Sequence, residues 1–470
     1  MTIINPFSQK VISEVKETSE AEILSVIEKS VQCRKKMASL SSFEKYEALK
    51  SVSDQLKTEK RKFAEIIASE SGKPFRYALA EAERGAETFL IAAEECKRLP
   101  KEYISLDTTP AGKGKEGIIK YFPAGVVAGI TPFNFPLNLV AHKVAPALAA
   151  GCPIVLKPAS STPLTALALS EIVKKTSLPD GAFSVVVCNR KTGNLLVTDP
   201  GISILSFTGS PSVGWKMKEQ AGKKKVVLEL GGNAGVLIAE DADLTSAISK
   251  CLVGGFAYSG QICIHAQRIF VHELLFKKFL EQFIPKVNAL KYGDPLKEET
   301  EISVMIDEEN AIRVENWVNN AISKGATLLC GGKREGNFYS PTVLTNTNTS
   351  MEVNSEEVFG PVVIVEKCKS FDDGIEKIND SKFGLQAGVF THNHSYIQKA
   401  FNELEVGGVI INDAPTFRAD HMPYGGIKES GLGREGVKYA IRDYMEAKIL
   451  VMSDETGGKC GMTSETNVEF

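Results

Sequence analysis

Apolar residues recur every three or four positions through the first hundred residues, in AEILSVIEKSVQCRKKMASL and in SFEKYEALKSVSDQLKTEKRKFAEIIASESGK, and each run has a Ser-rich start. That period lays one apolar face along an α-helix, and a serine ahead of the first turn can accept from its free N–H groups. The stretch therefore predicts helices, with a third from Arg76 to Arg98. Around GKEGIIKYFPAGVVAGITPFN the period gives way to short apolar runs broken by Gly and Pro, which indicates strands. From there the two patterns alternate: AHKVAPALAAG and TALALSEIVKKTS read as helices, and PIVLKP, FSVVVC, ISILSFTGS and KKVVLELGG as strands. Such alternation predicts an α/β fold with a largely parallel sheet covered on both faces.

After about residue 235 the alternation resumes with new members, among them ADLTSAISKCLVGGFAYSG, PVVIVEKC, AGVFTH and VGGVIIND, enough for a second α/β domain. A length of 470 residues agrees, since it exceeds what one hydrophobic core usually serves. The tail DETGGKCGMTSETNVEF has little apolar content and is expected to be poorly ordered. No internal repeat stands out.

Charge removes one class of function. The formal net charge is -3, and the clusters KGK (residues 113–115) and KKK (223–225) read as solvated surface, so neither a nucleic acid nor another polyanion is an expected partner. Nine scattered cysteines, with no CxxC pair and no histidines at zinc-finger spacing, fit reduced thiols in a cytoplasm; with six histidines in all, no metal site is expected. The start MTIINPFSQK lacks a signal-peptide pattern, and no run reaches the roughly 18 apolar residues of a membrane span, so a soluble cytoplasmic protein is expected.

The candidate chemistry centres on Cys263 in YSGQICIHAQR and Glu229 in VVLELGGNAG. A thiol can hold an acyl group, and a carboxylate can activate the water that removes it. Gly254, Gly255, Ser259 and Gly260 set Cys263 apart from the other cysteines, because tight backbone exposes peptide N–H groups that could lower a thiol pKa from about 8.5. His265 lies two residues on, but nothing in the pattern orients it toward the sulfur. In ITPFNFPLN, Asn134 stands at a strand-to-helix transition, where its amide either meets an oxyanion or caps the turn. Lys157 in PIVLKPASSTPL lies just past a strand, at the edge where open α/β sheets bind ligands, or is simply solvated. LSFTGSPSVG reads as a strand entering a Gly-Ser loop and a helix whose first N–H groups could receive pyrophosphate. The one literal GxGxxG, Gly431, Gly433 and Gly436, has no apolar strand leading into it and is set aside.

Seven blocks in order and spacing, ITPFNFPLN, LKPAS, FTGSPSVG, LELGGN, GQIC, EEVFGPV and PYGGIKESGLGREG, resemble the aldehyde dehydrogenase superfamily across about residues 3–453. AHKVAPA and VIINDAPTFRADHMPYGGIKESGLGREGVKYA are most similar to its lactaldehyde-dehydrogenase-like group. The resemblance implies an NAD(P)-dependent oxidation of an aldehyde to its acid. Cys263 would be the attacking thiol, Asn134 the oxyanion donor together with the Cys263 N–H, and Glu229 the base that activates the water hydrolysing the thioester; Lys143 would match a proton-relay lysine of some members, and Glu435 would be a second carboxylate near the site. Lys157, Ser160 and Arg190 would meet the adenosine end of the cofactor, Gly209 and Ser210 the pyrophosphate, and Glu357 and Phe359 the nicotinamide riboside, with Thr131, Pro132, Phe133, Gly214 and Leu230 around them. It further implies a Rossmann-like cofactor domain (1–104 and 127–234), a catalytic domain (235–445) and a β arm (105–126 and 446–453) that makes a homodimer or homotetramer, with 454–470 as the tail. Retention of Glu229 argues against acyl transfer to coenzyme A, and the filled catalytic positions argue against a silent homologue.

Two departures bear on specificity. Ser160 stands three residues after Lys157, where strict NAD users of the family often carry Glu, and Arg190 and Lys191 occupy a stretch that is frequently Gly-rich; both favour acceptance of NADP beside NAD, unless Arg190 is merely exposed. By the resemblance, Arg84, His142, Ile264, Phe417, Arg418 and His421 line the aldehyde tunnel. A buried arginine wants an anion. The expected substrate is therefore a short anionic or hydroxylated aldehyde of the 3-sulfolactaldehyde or lactaldehyde type, with succinic semialdehyde, phosphonoacetaldehyde and glyceraldehyde 3-phosphate as alternatives; Arg84 and Arg418 could instead pair with Glu81, Glu83 or Asp420.

Overall fold

The structure, a computed structural model, describes residues 1–453, so the expectation for 454–470 lies outside the described residues. The N-terminal helices form where the period placed them. Glu20–Ser39 and Ser42–Thr58 each open on a capping box, Ser19 with Glu22 and Ser41 with Glu44. The second apolar run divides at Glu59, which ends Ser42–Thr58 and precedes Lys60–Ser71. The break turns the later piece so that Phe63, Ala64 and Ile67 reach the same core as Leu49, Val52 and Leu56. Phe75–Cys96 follows in place of the expected Arg76–Arg98.

Two α/β sheets carry the molecule. The first has the order Gly431–Leu432, Lys225–Glu229, Ile202–Thr208, Val126–Ile130, Ile154–Lys157, Phe183–Val185, parallel except for its first pair. Val126–Ile130 is buried along its whole length, as a central strand covered on both faces must be. Its next strand in sequence, Ile154–Lys157, lies on one side, and the later Ile202–Thr208 on the other. The order reverses there, and ligands of open α/β sheets bind at the C-terminal ends beside such a reversal. Thr131–Asn134 and Gly209–Ser210 leave the sheet at that point.

The second sheet, Thr327–Cys330, Thr342–Thr345, Val362–Cys368, Arg268–His272, Gly235–Ile238, Gln386–Phe390, Gly408–Ile411, is also parallel beyond its first pair. Only five residues separate the strand ending at Glu229 from the one beginning at Gly235, so Leu230–Ala234 step from one sheet to the other. A third, antiparallel sheet joins Met445–Ser453, Lys115–Pro123 and Lys101–Ser105. Its edge strand exposes Ile449, Leu450, Val451 and Met452. Among the described residues no helix is long and apolar enough to cross a membrane, and no group of three His, Cys, Asp or Glu could hold a metal ion.

Candidate active site

Between the two sheets lies a cavity of about 510 Å³, walled by the strand ends of the first sheet and, from the second half of the chain, by Cys263, Arg313, Glu357 and Phe359. The thiol reaches it through an unusual turn. After helix Leu244–Phe256 three successive residues, Tyr258, Ser259 and Gly260, take φ of 49°, 53° and 68°. Left-handed backbone is costly for the two that carry a Cβ, so surrounding structure must impose it. Tyr258 Oη donates to the Ser71 carbonyl at 2.9 Å, and Ser259 Oγ to that of Ser303 at 2.7 Å. At Gly260 a Cβ would stand 2.1 Å from the Gly360 oxygen, which leaves room for glycine only. Gln261 then accepts from the Ile306 N–H at 2.9 Å, and the chain arrives at Cys263 with its course fixed.

Cys263 is half-buried, and its Sγ lies 3.0 Å from Tyr424 Oη. Burial pushes the thiol up to about 12, against the bond from Tyr424. This corrects the expectation of a lowered thiol: loss of solvent around the sulfur outweighs the favourable groups near it. His265 points elsewhere, its Nε2 2.8 Å from the Gly255 carbonyl.

Asn134 donates through Nδ2 to the Gln261 carbonyl at 2.9 Å, which leaves its second amide hydrogen free and its Oδ1 without a partner. Just beyond it, the N–H groups of Leu137 and Asn138 donate to Glu81 at 2.9 and 3.1 Å. Glu81 is paired with Lys73, both side chains fully buried, and the Lys73 ammonium lies 3.7 Å from the centre of the Phe135 ring and 4.6 Å from that of Tyr258. One buried ion pair thus braces both the segment bearing Asn134 and the turn leading to Cys263. Sequence reading had no signal for Lys73, because its partners come from three separate stretches.

Two carboxylates of the site have opposite fates. Glu229, at the end of its strand, is buried with both oxygens unpartnered; burial first, and the negative Glu435 second, hold its carboxyl well above the ordinary range. Burial opposes the charge on Glu435 too, but Lys143 at 3.1 Å and Arg418 at 3.0 Å outweigh it and hold that carboxyl at about 2. Lys143 also donates to Ser206 Oγ at 3.1 Å. The set-aside glycines serve this arrangement: a Cβ on Gly431 would meet the Leu228 oxygen at 2.3 Å, and one on Gly436 the Met422 oxygen at 2.1 Å. They let the loop carrying Glu435 close against the Glu229 strand.

The opposite end of the cavity suits an elongated anionic ligand. Helix Pro211–Gln220 begins at Ser210 with no side-chain cap, and Thr208 Oγ1, which lines the cavity, is buried without a partner. A Cβ on Gly214 would strike Leu230 at 2.4 Å, so glycine allows the helix start to sit close. Glu357 accepts from the Gly232 N–H at 3.0 Å and is pushed up to about 7 by burial. Phe359, with φ 46°, meets Phe133 edge-on at 5.8 Å, and Pro132 completes that wall. Thr131 Oγ1 is likewise buried and unpartnered. Lys157 is buried rather than solvated, with Nζ 3.3 Å from the Pro158 carbonyl; burial lowers its pKa, and Arg190 adds to the effect. Ser160 donates to the Cys188 carbonyl at 3.4 Å, while Arg190 is exposed.

The two expected tunnel arginines are already engaged. Arg84 grips Asp420 with two bonds of 2.7 and 3.2 Å, and Asp420 also receives His142 Nε2 at 2.8 Å. Arg418 is held by Glu435, and its guanidinium lies 3.8 Å from the centre of the Tyr424 ring. Of the alternative partners, Asp420 does meet Arg84, whereas Arg418 is met by Glu435 in place of Glu81, Glu83 or Asp420. What remains open is narrower, namely Arg418 Nε and His142 Nδ1, both buried and unpartnered. Burial, then Arg418, lowers the His142 pKa, so the ring is neutral; with Nε2–H given to Asp420, Nδ1 is an acceptor. Ile264 is buried against Leu385 and Tyr424, and Phe417 and His421 are exposed.

Comparison with known proteins places these features in a common frame. The description "Aldehyde dehydrogenase family" matches residues 1–450. The chain is 42% identical over 454 residues to the 3-sulfolactaldehyde dehydrogenase of Priestia megaterium, spanning 96% of this chain and 95% of that one. Among solved structures it resembles aldehyde dehydrogenase 21 from Physcomitrella patens, in complex with the reaction product succinate, with a TM-score of 0.95, 44% identity and 96% and 95% of the two chains covered. Glyceraldehyde-3-phosphate dehydrogenase GapN from Methanocaldococcus jannaschii, complexed with NADP, follows with a TM-score of 0.92, 37% identity and coverage of 96% and 99%.

Proposed function

The chain belongs to the aldehyde dehydrogenase family, and we propose that it oxidises a short, anionic or hydroxylated aldehyde to its carboxylic acid with NAD or NADP. The observation that carries the reading is the placing of Cys263, Asn134 and a high-pKa Glu229 on one cavity whose far end can take a dinucleotide. Cys263 Sγ gives up its proton to water and attacks the carbonyl carbon, whose π electrons move onto the oxygen. The free amide hydrogen of Asn134 and the Cys263 N–H receive the oxygen as it becomes negative. When bound, the nicotinamide supplies the two-electron acceptor that converts the thiohemiacetal on Cys263 to a thioester. Glu229, ionised, takes a proton from the water that attacks this thioester. Lys143 and Glu435 keep a fixed pair of charges beside it, and Glu229 returns its proton to solvent.

Thr208, Gly209, Ser210 and the free start of helix Pro211–Gln220 fit a pyrophosphate, Lys157 the adenosine ribose, and Glu357 and Phe359 the nicotinamide riboside. Thr131, Pro132, Phe133, Gly214 and Leu230 shape the groove around them. GapN was solved with NADP, and no carboxylate stands at Ser160 to repel a 2′-phosphate. Ser160→Glu is expected to lower kcat/KM with NADP roughly tenfold while NAD changes little, since one added charge near the phosphate costs about 1 kcal/mol or more. Steady-state kinetics with both cofactors test this, and equal loss with each would remove Ser160 from cofactor choice.

The charge balance near the thiol supports an anionic substrate. Arg84, Arg418 and Lys143 face only two firmly ionised carboxylates, Asp420 and Glu435. Arg418 Nε can donate to an acidic group and His142 Nδ1 can accept from a hydroxyl, a pairing that suits a 2-hydroxyaldehyde bearing an acid, as in 3-sulfolactaldehyde. A panel of that compound, lactaldehyde, succinic semialdehyde, phosphonoacetaldehyde and glyceraldehyde 3-phosphate tests the reading. Arg418→Gln is expected to raise KM about tenfold or more for the acidic members and far less for lactaldehyde, in line with the loss of a charged hydrogen bond. If KM rises alike for all, the acid is recognised elsewhere.

The same reading assigns 1–104 and 127–234 to the cofactor, 235–445 to catalysis and 105–126 with 446–453 to an arm, with two adjustments: Lys101–Ser105 pairs with the arm strand Lys115–Pro123, and Gly431–Leu432 with Val437–Asp443 pack on the cofactor side. The exposed apolar strand Met445–Ser453 offers an edge that a second copy would cover in a homodimer or homotetramer.

A further inference from the structure

Tyr424 is the one side chain whose polar atom touches the sulfur of Cys263 by hydrogen bond among the described residues. Its place is set independently of that contact. Tyr424 and Glu435 exchange backbone bonds of 3.0 and 2.6 Å, and the ring packs with Ile264 and Leu385 in a small apolar cluster beside the thiol. The residue is 3% exposed, so water does not compete for its hydroxyl. On one face of the ring lies the Arg418 guanidinium, 3.8 Å from its centre, itself anchored by Glu435. A cation over an aromatic face draws electron density from the ring and strengthens the O–H as a donor.

From this geometry we infer that Tyr424 is a further catalytic residue: its phenol donates a hydrogen bond to Cys263 Sγ as negative charge forms there, and Arg418, stacked on the ring, is the positioning residue that sharpens the donor. The inference rests on Cys263 being the nucleophile. No proton is transferred from Tyr424; the hydroxyl keeps its hydrogen, and the thiol proton departs to water or base as the thiolate forms. The need for such a donor follows from the buried sulfur. Burial above all disfavours the thiolate, Glu357 and Glu229 add to that, and the Tyr424 hydroxyl and Arg418 work the other way. A bond to the ionised form is the strong kind, and a buried one is not screened. Tyr424 lies within PYGGIKESGLGREG, but nothing in that motif shows that its hydroxyl turns toward a cysteine 161 positions earlier.

The test is the pH dependence of Cys263 alkylation by iodoacetamide, read by mass spectrometry on the Cys263 peptide of the full-length protein. Tyr424→Phe is expected to move the midpoint of alkylation up by about one pH unit, with roughly tenfold slower alkylation below it and equal rates well above it. An unchanged midpoint in the folded variant overturns the inference. Replacement of tyrosine by 3-fluorotyrosine, whose phenol is more acidic, gives the opposite arm with almost no change of shape, and the midpoint should then fall; a midpoint that stays put overturns the inference even if the Phe variant does not fold. Cys263→Ala separates the two levels. If that variant keeps aldehyde oxidation, the nucleophile is misassigned; if it is inactive while the Tyr424 variants leave alkylation untouched, only the role of Tyr424 fails.

Discussion

Cys263→Ala should abolish aldehyde-dependent nicotinamide reduction, a loss on the order of 10⁶ by analogy with removal of other covalent nucleophiles. The size follows from the absence of a substitute. Among the described residues Cys33, Cys96, Cys152, Cys188, Cys251 and Cys368 are buried, and Cys330 lies on the edge strand Thr327–Cys330. Glu229 and Asn134 have nothing to act on once the sulfur is gone. Dinucleotide affinity should change little, because the uncapped helix start, Thr208 and Glu357 are untouched. Turnover and cofactor binding measured on the same preparation check both halves. Residual turnover above one per cent of the parent would mean that another group forms the covalent bond.

The strands were legible because each is a short apolar run between Gly and Pro, and the sheet followed from their alternation with helices. ISILSFTGS and KKVVLELGG each run two or three residues past their strands, which stop at Thr208 and Glu229, the points that face the cavity. Illegible were the features made by distant partners. The left-handed turn at Tyr258 and Ser259 exists because Ser71 and Ser303 accept their hydroxyls, and a local pattern carries no trace of either. Arg84 and Asp420, 336 residues apart, could be named as a pair but not chosen over the substrate until the chain was folded. The thiol was misjudged for a related reason: backbone N–H groups can be guessed from glycines, whereas burial of the sulfur depends on everything packed around it.

Glu229→Gln should separate the two halves of the reaction. The amide is close in size to the carboxylate and cannot take a proton from water, so steady turnover should fall by about 10²–10⁴, the usual contribution of a general base. Acylation does not call on Glu229 in the proposed sequence, so a rapid first turnover, about one reduced nicotinamide per site, should survive ahead of the slow phase. The pH dependence has a definite sign. Glu229 works only when ionised, and burial with Glu435 nearby keeps its pKa above the ordinary carboxylate value of about 4.3. Hydrolysis in the parent should therefore be slow in acid and climb as pH rises through that elevated value, whereas the Gln variant should lack this limb. Glu435 cannot supply the limb, because Lys143 and Arg418 keep it ionised down to about pH 2. Stopped-flow reduction of the cofactor across pH reads both phases at once. Loss of the rapid phase in Glu229→Gln would instead require the carboxylate before the thioester forms, as the base that takes the proton of Cys263.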